Sequence, residues 1–198
     1  MAIKALIPVR SGSLRVKNKN IRPFAGETLL EIKIKQLKRV PELDGIVVNS
    51  NSDEMLEIAA RLGAETVKRD EYFATSEISP NELYINMAQN FPADTVLYSN
   101  CTNPCVKDET YSEMIGLWKN LSAEYDSVVS VSPLKEFLWV DVESRHSHFT
   151  QTNDVGKRRY YRQSSALAPI EQQEVIDVNT PLDFDFAEFV YRKRMQDN

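Results

Sequence analysis

The stretch from Ile7 to Gly26, IPVRSGSLRVKNKNIRPFAG, carries Arg10, Arg15, Lys17, Lys19 and Arg22 and no acid. It continues an apolar run, KALIPV (Lys4–Val9), that reads as a buried first strand. The whole chain is acidic, with a formal net charge of −5 over 198 residues. Five cations around Ser11-Gly12-Ser13 are therefore a local feature set against the global sign. Neither the Gly-x4-Gly-Lys-Ser/Thr pattern of a P-loop nor the Gly-x-Gly-x-x-Gly of a dinucleotide fold is present. What remains is a turn whose backbone N–H groups can approach an anion, flanked by Arg and Lys, which suits a triphosphate and its leaving pyrophosphate. A solvated basic loop is the alternative; a place at the end of the first strand of an α/β sheet argues against it.

Outward from this loop the chain alternates strand and helix. Thr28 to Val40 carries Leu30, Ile34 and Leu37 at helical spacing and stops at Pro41. GIVVNS is a second strand. Ser52 then caps a helix with Asp53 and Glu54 in its first turn, Met55, Leu56, Ala59 and Leu62 inside, and Gly63 closing it. AETVKR is a third strand, SPNE (Ser79–Glu82) a capping box with Pro80 at the first helical position, and DTVLYS a fourth strand. Asp108 starts a helix with Tyr111, Met114, Ile115 and Trp118, and DSVVSVSP and FLWVDV read as further strands. Residues 143–174 are polar and irregular. EVIDV (Glu174–Val178) reads as a strand, and Thr180-Pro181 opens a last helix with Leu182, Phe186, Phe189 and Val190 expected inward.

This alternation predicts a mostly parallel sheet covered by helices on both faces. Ligands then bind beyond the carboxyl ends of the strands, which brings together the basic loop, NSNSD after the second strand and NCTNPC after the fourth. One domain over residues 1–198 is expected, with an irregular acceptor-side segment around 143–174. Apolar content of 42% and charged content of 27% fit a globular protein, and no apolar run is long enough to span a membrane. No signal-peptide layout precedes the first strand, so a cytoplasmic protein is expected. Cys101 and Cys105 lack a second pair to complete a zinc site and read as reduced thiols. His146 and His148 read as loop histidines. The acidic balance argues against a general nucleic-acid binder.

At this point the residues resemble a known family. IPVRSGS…KNKNIRPFAGETLL is similar to the opening of the CMP-N-acylneuraminate (CMP-sialic acid) synthetase family of cytidylyltransferases, which reads I-P-A-R-x-G-S-K-G-x-x-x-K-N-I. IVVNSNSDEMLEIAARLGAE resembles that family's strand, S-T-D turn and helix, and VKRDEYFATSEISPNE its R-P-x-x-L-A-x-D-x-(S/T) segment. VLYSNCTNPCV resembles L-L-Q-P-T-S-P-L-R, and DSVVSVSP the strand after it. YYRQSSAL echoes (F/Y)-R-x-N-G-A-I, with Ser164 and Ser165 at the Asn-Gly, and EVIDVNTPLDFDFAE resembles the I-D-I-D-T terminus.

The resemblance implies a three-layer α/β/α nucleotidyltransferase fold, glycosyltransferase-A-like, with a mostly parallel mixed sheet. It implies transfer of CMP from CTP to an acidic sugar with Mg²⁺ and release of pyrophosphate. It assigns Arg10, Ser11, Gly12, Ser13 and Lys19 to the triphosphate and Arg69 and Asn100 to the ribose and base side, with Asn20 and Asn51 completing the nucleotide set. Arg10, Lys19 and Asp177 are the expected catalytic residues, and Asp177 and Asn179 the expected metal positions. In-line attack on the α-phosphorus needs charge neutralised on phosphate oxygens and substrates held in line, which Arg, Lys and a hard cation on a carboxylate supply. Asp183 and Asp185 are read instead as early-turn acids that complement the helix dipole.

Four departures from the family pattern bear on function. Leu14 and Arg15 replace its Lys-Gly, so that Arg15 or Lys17 has to supply the missing phosphate contact. Asn51 and Asn179 stand where the family has aspartates. A few dozen residues of the family are missing between Ile170 and Val175, a region that helps close the acceptor pocket and build a dimer. The acceptor side carries KRRYYR (Lys157–Arg162), in which Arg158, Arg159 and Arg162, with Gln163, read as an anion clamp for an acidic acceptor. A solvated loop or a nucleic-acid stripe are the alternatives. The expectation is a cytidylyltransferase for a small acidic acceptor, either a sialic-acid-like sugar acid or a phosphonate or phosphorylated small molecule. It serves surface glycan or conjugate biosynthesis, and a homodimer is one expected assembly. A non-catalytic nucleotide-binding relative, or a transferase using another NTP, is the rival.

Overall fold

The computed structural model describes residues 1–13, 15–75, 77–132 and 165–197. It divides into two compact units, residues 1–112 with 173–198 and residues 113–172. In the first, β1 (Ile3–Pro8) runs into the basic loop, which ends in a hairpin of β2 (Pro23–Phe24) and β3 (Glu27–Thr28). There follow α1 (Leu29–Leu37), β4 (Gly45–Ser50), α2 (Asp53–Arg61), β5 (Glu65–Lys68), α3 (Pro80–Gln89), β6 (Thr95–Tyr98) and the start of α4 (Asp108–Lys119). In the second unit β7 (Ser127–Val131) pairs in parallel with β8 (Ser165–Pro169), and Ser127 and Ser165 share a hydroxyl hydrogen bond of 2.7 Å. The chain ends in α5 (Pro181–Asp197).

The main sheet has the order β5-β4-β1-β6 with every neighbour parallel. Its central strands are continuous apolar runs, as strands covered on both faces must be. Leu6 and Val47 point to one face and pack with Met87 of α3, joined by Leu83 and Phe91. The opposite parity faces α2, where the Ser50 hydroxyl meets the Met55 sulfur at 3.7 Å. Helices thus cover both faces, as the alternation predicts.

Local signals set the helix starts. Thr28 accepts the Glu31 N–H, Ser52 the Met55 N–H, and Ser79 with Glu82 closes a reciprocal capping box. Gly63 ends α2 with φ +73°, a left-handed residue past the last turn. The first helix stops at Leu37, three residues before the predicted Val40.

Three expectations are corrected. EVIDV is not a strand: Gln172–Val175 forms a 3-10 turn, and the chain beyond it is held by the 101–107 loop. There the buried Glu174 accepts the Lys107 N–H and the Thr110 hydroxyl, Asn103 Nδ2 donates to Ile176 O, and Val178 N–H donates to Thr102 O. A carboxylate anchor replaces a sheet ladder. The segment 143–174 is not wholly irregular, because Ser165–Pro169 is β8. On α5 the inward face is Phe184 and Ala187, with Tyr191 one turn on, whereas Leu182, Phe186 and Phe189 are 76%, 54% and 64% exposed. An aromatic cluster decides this register: Phe24, fully buried, meets Phe184 edge-on at 5.3 Å and Tyr191 at 5.7 Å, and Arg22 lies 4.9 Å over the Phe184 ring. The strand expected at FLWVDV, along with His146, His148, Lys157–Arg162, Gln163 and Ser164, lies outside the described residues.

The hairpin turn Ala25-Gly26 has φ +52° and +93°, a two-residue turn in which both residues are left-handed. Ala25 is the poor fit, since its Cβ crowds the backbone there. Ala25→Asn should raise stability by about 1 kcal/mol, read as a higher urea midpoint with an unchanged slope, and Ala25→Val should lower it.

Candidate active site

Parallel pairing of β1 with β4 and β6 brings the three predicted loops to one end of the sheet. The loops after β1 and β6 line a cavity of about 460 Å³ there, whose walls include Arg10, Ser13, Arg15, Lys19, Asn20, Arg69, Asn100 and Asn179, while no residue of NSNSD reaches it. Seven of these were singled out by sequence; Arg15 was an alternative to Lys17, and only Arg15 reaches the wall. Pro8, Val9, Val16, Leu83, Tyr98, Cys101 and Thr102 complete it. Sequence reading missed Leu83 and Tyr98. Their parity on α3 and β6 marks them only as core, and the open end of the sheet decides otherwise. Arg158, Arg159, Arg162 and Gln163 lie outside the described residues.

Neutral oxygens hold the cations. Arg10 donates to Ala74 O at the end of the 3-10 turn Glu71–Ala74. Lys19 Nζ donates to Val178 O at 2.6 Å; burial pushes its ammonium below the usual lysine range while Asp177 pulls it back. Arg69 is 3% exposed, and its Nε and one terminal nitrogen donate to Asn49 Oδ1 at 2.6 Å and Asn49 O at 2.9 Å. Burial lowers its pKa, and Arg10 nearby adds a like-charge push in the same direction. No ion pair joins Arg69 to an acid among the described residues. A buried guanidinium without a carboxylate favours any anion or carbonyl that enters the cavity.

The turn at Gly12, φ +77°, lets the loop fold back between Ser11 and Ser13. Asn51 lies behind it and is fully engaged. It accepts the Ser11 N–H at 3.1 Å and donates to Ser11 Oγ at 2.8 Å and to Glu71 Oε2 at 2.9 Å. Asn51 therefore shapes the loop from behind and does not line the cavity. Glu71, absent from the sequence reading, explains the amide, since an aspartate at 51 would set two carboxylates against each other. Asn20 also acts between loops: its Nδ2 donates to Arg10 O at 3.4 Å and its Oδ1 accepts from Cys101 Sγ. Burial pushes the Cys101 thiol up to about 12 and the Cys105 thiol up to about 11, so both stay protonated.

At the rim, Asn179 Nδ2 donates to Asp177 Oδ2 at 2.6 Å and Arg15 donates to Asn179 Oδ1 at 3.4 Å. Thr180, through its side chain and its N–H, and then the Asn179 N–H keep the Asp183 carboxyl below the usual range, and these bonds close the first turn of α5. Among the described residues no group of three or more His, Cys, Asp or Glu is placed to hold a metal.

A profile of the cytidylyltransferase family matches residues 4–197. The chain belongs to the cytidylyltransferase family. It is 32% identical over 140 residues to a CMP-N,N'-diacetyllegionaminic acid synthase of Legionella pneumophila, a match covering 68% of this chain and 59% of that one. It is 28% identical over 110 residues to a pseudaminic acid cytidylyltransferase of Campylobacter jejuni, covering 52% and 47%. The chain thus spans roughly half the length of these relatives. In fold it is similar to the crystal structure of a 4-diphosphocytidyl-2C-methyl-D-erythritol synthase from Anaerococcus prevotii, with a TM-score of 0.70 and 13% identity over 96% of both chains. The cytidylyltransferase fold therefore extends over nearly the whole chain. Among the described residues no helix is long and apolar enough to cross a membrane.

The Asn51–Glu71 pair is testable by itself. Asn51→Asp should destabilise the protein by roughly 1–2 kcal/mol near neutral pH, measured by urea denaturation. Asn51→Asp with Glu71→Gln should recover most of the loss.

Proposed function

We propose that residues 1–198 work as a single catalytic domain that transfers CMP from CTP to a small acidic acceptor and releases pyrophosphate. The observation that carries this reading is the convergence of Arg10, Arg15, Lys19 and Arg69 on one cavity beyond the carboxyl ends of parallel strands. Lys19 and Arg69 are held by neutral oxygens, so their positive charge remains available for a triphosphate. Arg10, Lys19 and the turn Ser11-Gly12-Ser13 bind the phosphates and stabilise charge on the departing pyrophosphate. Arg69 and Asn100 take the nucleoside side, and Tyr98 with Leu83 offers an apolar wall to it.

Asp177, an exposed carboxylate beside the cavity wall, fits a hard divalent cation bound through one carboxylate and substrate phosphate oxygens. Mg²⁺ held there would neutralise phosphate charge. Asn179 keeps Asp177 and Arg15 in register through its two amide atoms. The names of the relatives favour a sugar acid of the legionaminic, pseudaminic or neuraminic type as acceptor. The anion clamp expected at Arg158, Arg159, Arg162 and Gln163 would serve its carboxylate, and a phosphonate or phosphorylated small molecule remains the second acceptor class. Use in glycan or conjugate biosynthesis follows from such a product.

The test is pyrophosphate release with Mg²⁺, each of the four NTPs and a panel of sugar acids, phosphonates and phosphorylated alcohols. Release is expected with CTP and one acceptor class. Arg10→Ala and Asp177→Ala should each lower kcat/KM by at least about 100-fold. CTP binding without turnover on any acceptor would favour a non-catalytic relative, and absence of CTP binding would overturn the reading.

A further inference from the structure

Lys33 lies on α1 and is fully buried, with no carboxylate among the partners found for it in the described residues. Its Nζ donates to Gln36 Oε1 at 2.5 Å, Asn103 O at 2.9 Å and Tyr111 OH at 2.6 Å, and it also lies 5.1 Å from the Tyr111 ring centroid. An ammonium has three N–H donors, and all three are used. Burying that charge among apolar residues is costly unless the geometry it enforces is needed.

What it enforces is the path of the loop after β6. Lys33 takes the carbonyl of Asn103, and Gln36, one turn further along α1, donates to the carbonyl of Val106. Two carbonyls of one loop are thus held from one helix face. The loop passes the constraint on in three directions. Asn100, Cys101 and Thr102 line the cavity. Cys101 donates to Asn20, which in turn donates to Arg10 O in the basic loop. Thr102 and Asn103 hold the backbone on either side of Asp177 through Val178 and Ile176. The far side is fixed as well, since Tyr111 OH bonds Ser99 Oγ at 2.9 Å.

We infer that Lys33 is a positioning residue for nucleotide binding: it holds the 101–107 loop so that Asn100, the basic loop and the Asp177 segment face one cavity. This rests on the CTP-site reading of that cavity. Lys33 touches no part of the cavity itself, so it acts only through the loop.

The test compares wild type with Lys33→Met, which keeps the bulk of the side chain and removes the donors. Two readouts are taken: KM for CTP and for the acceptor, and the native-state reaction rate of the thiols with a disulfide reagent, mapped by mass spectrometry. The chain's two cysteines, Cys101 and Cys105, both lie buried in this loop. Removing a nearby cation would in itself disfavour the thiolate of Cys101, so a faster reaction reports an opened loop. Expected are a KM for CTP raised at least about tenfold, an acceptor KM within about twofold, and thiols that react at least about tenfold faster in a protein still folded by circular dichroism. Saturating CTP should slow that reaction.

A merely structural lysine would lower kcat in proportion to the folded fraction and leave both KM values unchanged; that pattern would overturn the inference. So would a folded Lys33→Met variant with wild-type thiol rates and CTP affinity. If Lys33→Met does not fold, Tyr111→Phe removes one acceptor of the same ammonium. It should shift both readouts in the same direction by about threefold, and no shift in either would overturn the inference. A wild-type protein that fails to bind CTP would sink the functional reading, while thiol rates would still report on the hold of Lys33 over the loop.

Discussion

β1 is hydrogen-bonded to a parallel partner along each edge, to β4 through Lys4–Pro8 and to β6 through Ile3–Leu6. The site depends on that double pairing. Three parallel strands must deliver their following loops to the same end, and the register fixes how far each loop projects. Val9 N–H continues the ladder onto Asn49 O, and Ser99 N–H onto Leu6 O, so the chain stays ordered to the cavity's edge. The helices only cover faces that the strands have already defined.

Around that cavity positive charge is handled in one consistent way. Lys19 rests on Val178 O, Arg69 on the side chain and carbonyl of Asn49, and Lys33, behind the cavity, on Asn103 O and two side-chain oxygens. Partial charges of carbonyl and amide oxygens orient these cations and relieve part of their desolvation without cancelling their charge. Elsewhere the cations meet carboxylates directly, as in Lys4–Glu65, Arg39–Asp108 and Arg192–Glu188. Surface pairs of that kind contribute little to stability and are screened by salt. The contrast marks the cavity as the region where net positive potential is kept, on a protein whose overall charge is negative.

What was legible in the sequence follows the range of the signal. Caps at Ser52 and Ser79, the left-handed Gly63 and the apolar central strands are set by neighbours a few residues away, and they read correctly. The basic loop was also legible as a charge anomaly in a known topological position. EVIDV misled because a β-branched run reads as a strand whether or not a ladder awaits it. Only the distant carboxylate of Glu174 on Lys107 and Thr110 decides against one. The register of α5 was unreadable for a similar reason. Its apolar residues occur on more than one face, so packing of Phe24 on Phe184 and Tyr191 chooses the buried side. Lys33 was not singled out by sequence, because nothing local distinguishes a buried lysine from an exposed one.

The two asparagines that depart from the family pattern share one physical logic. An amide presents an acceptor and a donor on adjacent atoms, which a carboxylate cannot do. Asn51 uses its oxygen on the Ser11 N–H and its nitrogen on Ser11 Oγ and Glu71. Asn179 uses its oxygen on Arg15 and its nitrogen on Asp177. In both places the amide lies beside a carboxylate, so an aspartate would bring two anions together. Near the basic loop the negative charge lies on Glu71, and at the rim it lies on Asp177. Arg15, replacing a glycine of the family pattern, adds a cation on the same wall. At both positions the amide satisfies a neighbouring carboxylate, Glu71 or Asp177, that a second anion would repel.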